Sequence, residues 1–214
     1  MSTTILLIRH GETVSNAERR LQGHIDSALN EQGRRQAAAL GLALAGAPLA
    51  AVIASDLQRA RDTALAVAAP HGLTVQADEQ LRERCYGVFE GMLHADIAVR
   101  YPDDYADWQA RHADALMPPG ERVAESFRQF YQRSLAAILR WAAEYPGRTI
   151  AVVAHGGVLE CAYRAALALQ LAGARDFEVK NASLNRFSAV DGELTLLDWG
   201  NVAHLAAPAV DELL

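Results

Sequence analysis

Two short stretches carry most of the reactive side chains in this 214-residue chain: Arg9-His10-Gly11-Glu12 directly after one apolar run, and His155-Gly156-Gly157 directly after another. A third apolar run ends at Ser55, with Arg59 just beyond it. Two imidazoles and two guanidiniums delivered to one crevice would form an anion pocket with a nucleophile inside it, and phosphate is the guest such a set suits. Arginine forks grip phosphoryl oxygens in pairs. Their charge gains strength in a partly dry cleft, where it opposes the negative charge that develops during transfer. One imidazole, unprotonated at one ring nitrogen and oriented through the other, can accept a phosphoryl group, while the second can stay protonated as an oxyanion donor. Water can discharge the covalent intermediate, provided that an acid near the rim first gives a proton to the departing alkoxide. Gly11 and Gly156 would let backbone approach the ligand closely.

The elements that must position these groups follow from the apolar pattern. Residues 3–8 are β-branched and apolar, as suits a strand buried on both faces. After a loop over residues 10–29, Asn30 can cap a helix running to residue 45, which Gly46-Ala47-Pro48 ends before a second buried strand at 50–54. Ser55-Asp56-Leu57-Gln58 has capping-box spacing and predicts a helix from residue 55 to about 67, with Arg59 just inside its capped end. A third strand is expected at 73–77. Residues 78–119, irregular, acidic and aromatic, predict a helical lid inserted over one end of the sheet, with Tyr101, Tyr105 and Trp108 in its core. A long amphipathic helix over 121–145, a fourth buried strand at 149–154 and a helix over 158–171 continue the alternation. Residues 184–190 and 193–198 flank Asp191-Gly192, a hairpin signal that adds antiparallel strands at the edge. Strands alternating with helices imply an α/β fold, one domain over 1–214, with a mostly parallel sheet covered on both faces and ligands beyond the strand carboxyl ends.

Composition narrows the partners. The chain is 51% hydrophobic and 21% charged with a formal charge of −6, which gives no global attraction to nucleic acid or an anionic membrane surface. Lys180 is the only lysine, so positive charge resides almost wholly on arginine. Cys85 and Cys161 show neither metal-ligand spacing nor a disulfide framework, the amino terminus lacks a secretory pattern, and no stretch offers a membrane span; the expectation is a cytoplasmic protein. His10, Glu12, Asp26 and His155 have no familiar metal-ligand spacing, so no metal is expected. His24, His71, His94, His112 and His204 read as surface or packing histidines, with His24 alone suspected of reaching substrate.

RHGET at Arg9 to Thr13, then Asn16 and RLQGHIDSALNEQGRRQA, SDLQRARDTA from Ser55, LRERCYGVFEG from Leu81 and VVAHGG from Val152 succeed one another with compatible gaps. Together, over most of the chain, they resemble the histidine phosphatase superfamily in its phosphoglycerate mutase-like branch. The resemblance implies a three-layer α/β/α sandwich, a phosphohistidine at His10, and phosphoryl oxygens held by Arg9, Arg59 and His155 with Asn16 assisting. It also implies Glu83 as the proton donor, in preference to Glu79 or Glu90, and chemistry without metal or other cofactor. Thr13, Gln22, Gly23, Arg84, Tyr86 and Gly156 are the further expected contacts to a small phosphate ester. Glu121 stands where the family has a GES-like element, with Arg122 replacing the serine. Members are often dimers, so a homodimer is the assembly the resemblance allows.

A mutase must shield its phosphohistidine from water and hold a substrate with two anionic groups, which calls for extra cations. The lysine and the arginine pair that mutases of this branch carry have no counterpart here: Met92-Leu93-His94-Ala95 follows Gly91, and residues 78–125 hold eleven carboxylates against five arginines. Such a lid is expected to repel a polyanion, which favours a phosphomonoester phosphatase acting through phosphohistidine. Glu83-Arg84-Cys85-Tyr86-Gly87, close to the mutase's Glu-Arg-His-Tyr-Gly, keeps a cofactor-dependent phosphoglycerate mutase as the alternative.

Overall fold

Apolar side chains on Thr3–Arg9 (β1) alternate between two cores, Ile5 and Leu7 to one side and Leu6 and Ile8 to the other, the period of two that a strand buried on both faces requires. The computed structural model describes residues 1–205. After β1 come a single turn at Val14–Ala17 (α1), then Glu31–Leu44 (α2), Leu49–Ala54 (β2), Gln58–Ala68 (α3) and Val75–Ala77 (β3). Two lid helices follow, His94–Arg100 (α4) and Pro102–Gln109 (α5), then Phe127–Glu144 (α6), Thr149–Ala154 (β4), Gly156–Ala166 (α7), Leu184–Val190 (β5) and Glu193–Asn201 (β6).

The sheet runs β3-β2-β4-β1-β5-β6. Its first four strands pair in parallel, and β5 returns antiparallel to β1 with β6 as its hairpin partner. On one face α2 and α3 press Leu40, Leu44, Ala60, Ala64 and Val67 onto Leu6, Ile8, Val52 and Val153. On the other, α6 and α7 bring Phe130, Ile138, Trp141, Val158 and Ala162 to Ile5, Leu7, Ile53 and Val152. The result is the expected α/β/α sandwich. Because the crossover leaving β1 and the one leaving β4 lie on opposite faces, a crevice opens beyond the carboxyl ends of these two neighbouring strands.

Asn30 caps α2 as expected, its Oδ1 accepting the Gly33 N–H at 2.8 Å. Three helix limits differ from the sequence expectation. Ser55 does not cap α3: its Oγ accepts only the Leu57 N–H at 3.3 Å, and the helix starts at Gln58, whose N–H is accepted by the distant Asp26 carboxylate at 2.7 Å. α6 starts at a capping box formed by Ser126 and Gln129, not at residue 121. The preceding residues stay extended because Glu125 is clamped to Cys85 twice, N–H to carbonyl and carboxylate to N–H, both at 3.0 Å, and Val123 is left exposed. α7 stops at Ala166, since Ala168 adopts φ +51° and the Arg164 guanidinium gathers the carbonyls of Gln170 and Gly173.

The lid has its own small core. Phe89, Ile97, Met117 and Ala124 are buried there, with Tyr101, Tyr105 and Trp108 packed against them. Burying Phe89 alone contributes about 2–3 kcal/mol. Backbone bonds Gly91 N–H to Leu21 carbonyl (2.7 Å) and Leu21 N–H to Met92 carbonyl (3.0 Å) tie the lid to the loop before α2. Among the described residues no helix is long and apolar enough to cross a membrane, and both cysteines are buried free thiols.

Candidate active site

Strand register brings the two histidines together. β1 and β4 are parallel neighbours with Arg9 opposite Ala154, so His10 and His155, each one residue beyond, emerge side by side. The His10 N–H extends the ladder to the Ala154 carbonyl at 3.0 Å, and the two rings lie 5.2 Å apart, close to the spacing of adjacent strands. The His10 ring is buried with Nδ1 2.7 Å from the Gly11 carbonyl. A carbonyl can only accept, so Nδ1 carries the proton and Nε2 presents its lone pair. Burial, reinforced by the charges of Arg59 and Arg9, holds this imidazole well below its ordinary range. It is a neutral imidazole with its tautomer fixed, the form that a nucleophilic role requires.

Unpartnered donors surround it. Arg59, in the first turn of α3, is 1% exposed; Nη1 and Nη2 donate to the carbonyls of Ile25 and Gly23, both at 2.8 Å, while Nε finds no protein partner. Arg9 donates through Nη1 to the Val179 carbonyl at 2.5 Å, and its Nε is likewise buried without a partner. Burial lowers both guanidiniums to about 10, Glu83 opposing it in each case, so both stay charged at neutral pH. Neither ring nitrogen of the fully buried His155 has a partner. Buried polar groups seldom go unsatisfied; Arg9 and Arg59 line a cavity together with His10, and His155, which lines neither cavity, lies against the His10 ring, so the set is a candidate cradle for an anion. The α7 amino terminus at His155 adds its partial positive charge. Burial first, then the charge of Arg59, pushes the His155 pKa well down, so in this structure it is a neutral imidazole and not the protonated donor that the sequence suggested.

Glu83 faces the cradle from the lid side. Its carboxylate accepts the Arg84 N–H at 2.8 Å and the Gly157 N–H at 3.0 Å. Its rivals are elsewhere: Glu90 is turned to the backbone N–H groups of His24 and Tyr86, and Glu79 begins a surface turn. A cavity of about 370 Å³ is lined by Arg9, His10, Asn16, Gln22, Gly23, Arg59, Glu83, Tyr86 and Gly156. A second, of about 600 Å³, shares Arg9, Glu83, Tyr86 and Gly156 with it and continues past Arg84 and Trp108 under the lid.

Several expected contacts have a different placement. Thr13 is fully buried behind the cradle, capping α1 and donating to Gln22 Oε1 at 2.9 Å, and lines neither cavity. Arg84 reaches only the larger cavity, its Nε held by the Glu125 carbonyl at 2.8 Å. His24 lines neither; its Nε2 bonds the Glu83 carbonyl at 2.8 Å. His94, read as a surface or packing residue, lines both and stacks on Trp108 at 5.2 Å. Gly11 serves packing and not ligand approach, since a Cβ there would lie 2.5 Å from the Gly33 carbonyl oxygen of α2. Arg122 pairs with Glu90 at 3.5 Å, and Glu121 lines neither cavity. Glu12 and Asp26 turn away to Asn30 and Gln58, and among the described residues no three His, Cys, Asp or Glu side chains converge as a metal set.

Sequence reasoning missed three contributors. Asn181 donates to the His10 carbonyl at 3.1 Å and to Asn16 Oδ1 at 3.2 Å, steadying both from 171 and 165 residues away; no local pattern signals it. Gly157 is required because a Cβ would fall 2.2 Å from Glu83 Oε1, and the paired glycines after His155 were the available sign. Glu160, one turn into α7, buries its carboxylate beneath the larger cavity among arginines.

A family profile described as the histidine phosphatase superfamily (branch 1) matches residues 5–202. Among curated proteins, phosphoglycerate mutase-like protein 4 of Arabidopsis thaliana is 38% identical over 94% of this chain and 86% of its own length. A metal-independent phosphoserine phosphatase from the same plant is 36% identical over 96% and 84%. Among solved structures, Bacillus stearothermophilus YhfR superposes with a TM-score of 0.85 at 33% identity, covering 95% of this chain and 99% of that one.

Proposed function

Because the chain belongs to the histidine phosphatase superfamily, we propose that it is a phosphomonoester phosphatase that hydrolyses a small phosphorylated metabolite through a phosphohistidine at His10. The observation that carries this reading is the cradle: four unpartnered N–H or ring-nitrogen positions on Arg9, Arg59 and His155 around a His10 ring whose Nδ1 is tied to Gly11. Phosphoryl oxygens would complete those donors, with Asn16 assisting, and the negative charge would favour protonation of His155. His10 Nε2 attacks phosphorus, the ester P–O bond breaks, and Glu83 gives its proton to the departing alkoxide. Water then attacks the phosphohistidine while the Glu83 carboxylate takes a proton from it, releasing phosphate and restoring both groups. No step calls on a metal, and the similarity to a metal-independent phosphoserine phosphatase supports that reading.

The decisive experiment compares wild type with His10→Ala on p-nitrophenyl phosphate in chelator. Wild type is expected to release phosphate steadily and to trap a phosphoenzyme on acid quench; His10→Ala is expected to lose about 10³-fold or more of the turnover and the phosphoenzyme with it. Equal turnover in the two proteins would overturn the proposal. Similarity to a phosphoglycerate mutase-like protein favours phosphoryl transfer between substrate hydroxyls as the second reading. Strict dependence on bisphosphoglycerate for activity would select it; steady hydrolysis without that compound selects the phosphatase.

A further inference from the structure

The cavity beyond the cradle holds charge that the phosphoryl chemistry does not use. At its far wall the Glu160 carboxylate, 4% exposed, accepts from Arg164 Nε at 2.9 Å and from Arg111 Nη2, and lies 3.5 Å from Arg175 Nη1. Arg164 is fully buried and spent: its remaining nitrogens donate to the carbonyls of Gln170, Gly173 and Ala174. One carboxylate and one spent arginine balance each other. Arg111 and Arg175 both line the cavity and remain as two further cations, and among the described residues neither has a carboxylate partner besides Glu160. Arg111 Nε is buried with no partner at all.

Arg111 follows the end of α5 with φ +57°, the left-handed conformation in which glycine is the unstrained choice. Its side chain turns inward over the Phe127 ring at 5.7 Å. The lid's carboxylates do not offset these cations. Asp96, Asp103, Asp107, Asp114 and Glu121 are exposed and line neither cavity; of the carboxylates between residues 78 and 125 Glu83 alone lines the larger one, where Arg9, Arg84, Arg111 and Arg175 outnumber it and Glu160. The substrate-facing side is cationic.

Resting on the phosphatase reading, we propose that the leaving group of the natural substrate carries its own anionic group, a carboxylate or a second phosphoryl, and that Arg111 and Arg175 bind it while Glu160 holds their guanidiniums in place. A cavity of about 600 Å³ lies within the range that takes a whole small metabolite. Selectivity then follows from charge at the end of the leaving group distant from phosphorus.

Two matched pairs test this: kcat/KM for 3-phosphoglycerate over glycerol 3-phosphate, and for fructose 1,6-bisphosphate over fructose 6-phosphate, with p-nitrophenyl phosphate as the reference for turnover. Wild type is expected to prefer the anionic member of at least one pair by about 10- to 100-fold, the worth of one charged hydrogen-bonding contact. The first pair answers for a carboxylate, the second for a phosphoryl group. That preference should fall at least about 10-fold in both Arg111→Gln and Arg175→Gln. Arg175 is exposed, so its variant carries the test if Arg111→Gln folds poorly. Hydrolysis of p-nitrophenyl phosphate with ratios near one in both pairs, or a preference that survives both substitutions, overturns this inference and leaves the phosphatase reading standing. Failure to hydrolyse p-nitrophenyl phosphate or any other probe overturns the phosphatase reading itself, and this inference with it.

Discussion

Burial of His10 and His155 next to two guanidiniums has consequences for both stability and chemistry. Each imidazole sits well below its ordinary range in the fold, burial being the main cause, whereas the unfolded chain titrates near 6.5. Above about pH 6.5 both states are neutral there and the full stability is present; as pH falls toward the depressed folded values, the unfolded state binds protons that the folded state refuses, and stability is lost. Thermal melts are expected to show Tm falling between about pH 7 and 5, with a shallower fall in His155→Gln; an identical slope in the variant would refute the assignment. Glu83 leads to a different test. If it protonates the alkoxide, Glu83→Gln should slow alkyl phosphate hydrolysis by about 10²–10⁴-fold and p-nitrophenyl phosphate far less, since nitrophenolate leaves unaided. Equal losses on both substrates would remove the acid role.

Elements deliver these residues with a precision that loops alone would not. Parallel register sets the two histidines side by side, and the α3 start is stitched to the loop before α2 by Arg59 and by Asp26. On the lid side, the first turn of α7 holds Glu83 through a glycine. In Gly157→Ala the new Cβ would sit 2.2 Å from Glu83 Oε1 and 2.8 Å from the Phe130 ring, so the acid must move. The variant is expected to lose about 10²-fold in kcat on an alkyl phosphate, as small displacements at a reacting centre do, while circular dichroism stays native. Unchanged kcat would show that the Glu83–Gly157 contact does not matter. Apolar runs and turn residues made the strands and α2 legible, but not the start of α3. There the capping-box spacing at Ser55 lost to a carboxylate supplied by Asp26 from the loop before α2, a contact that local spacing cannot reveal.

For the whole molecule, the cradle is a store of unpaired donors, so an anion that fills it should stabilise the fold by mass action. Inorganic phosphate at about 100 times its Kd is worth about 2.7 kcal/mol. Tm is expected to rise with the logarithm of phosphate concentration in wild type and to rise far less in Arg59→Met; a wild-type Tm indifferent to phosphate, against a chloride control at equal ionic strength, would contradict the cradle. In the proposed reaction, the two cavities, which share Arg9, Glu83, Tyr86 and Gly156, would divide the work, one for the transferring group and one for the group it leaves.

The sequence by itself determined the alternating α/β order, the three strand ends with their Arg9-His10, Arg59 and His155 payload, and the family those segments resemble, because an apolar run and the residues that end it are adjacent in the chain. Tertiary structure alone decided that Asn181 steadies His10, that Thr13 and His24 line neither of the two cavities beside His10 and under the lid while His94 lines both, and that Arg111, Glu160 and Arg175 meet under the lid. The physical reason is the same each time. Composition counts charges wherever they lie, but a site responds only to those whose side chains the packing turns inward, and that direction is set by contacts between segments far apart in sequence.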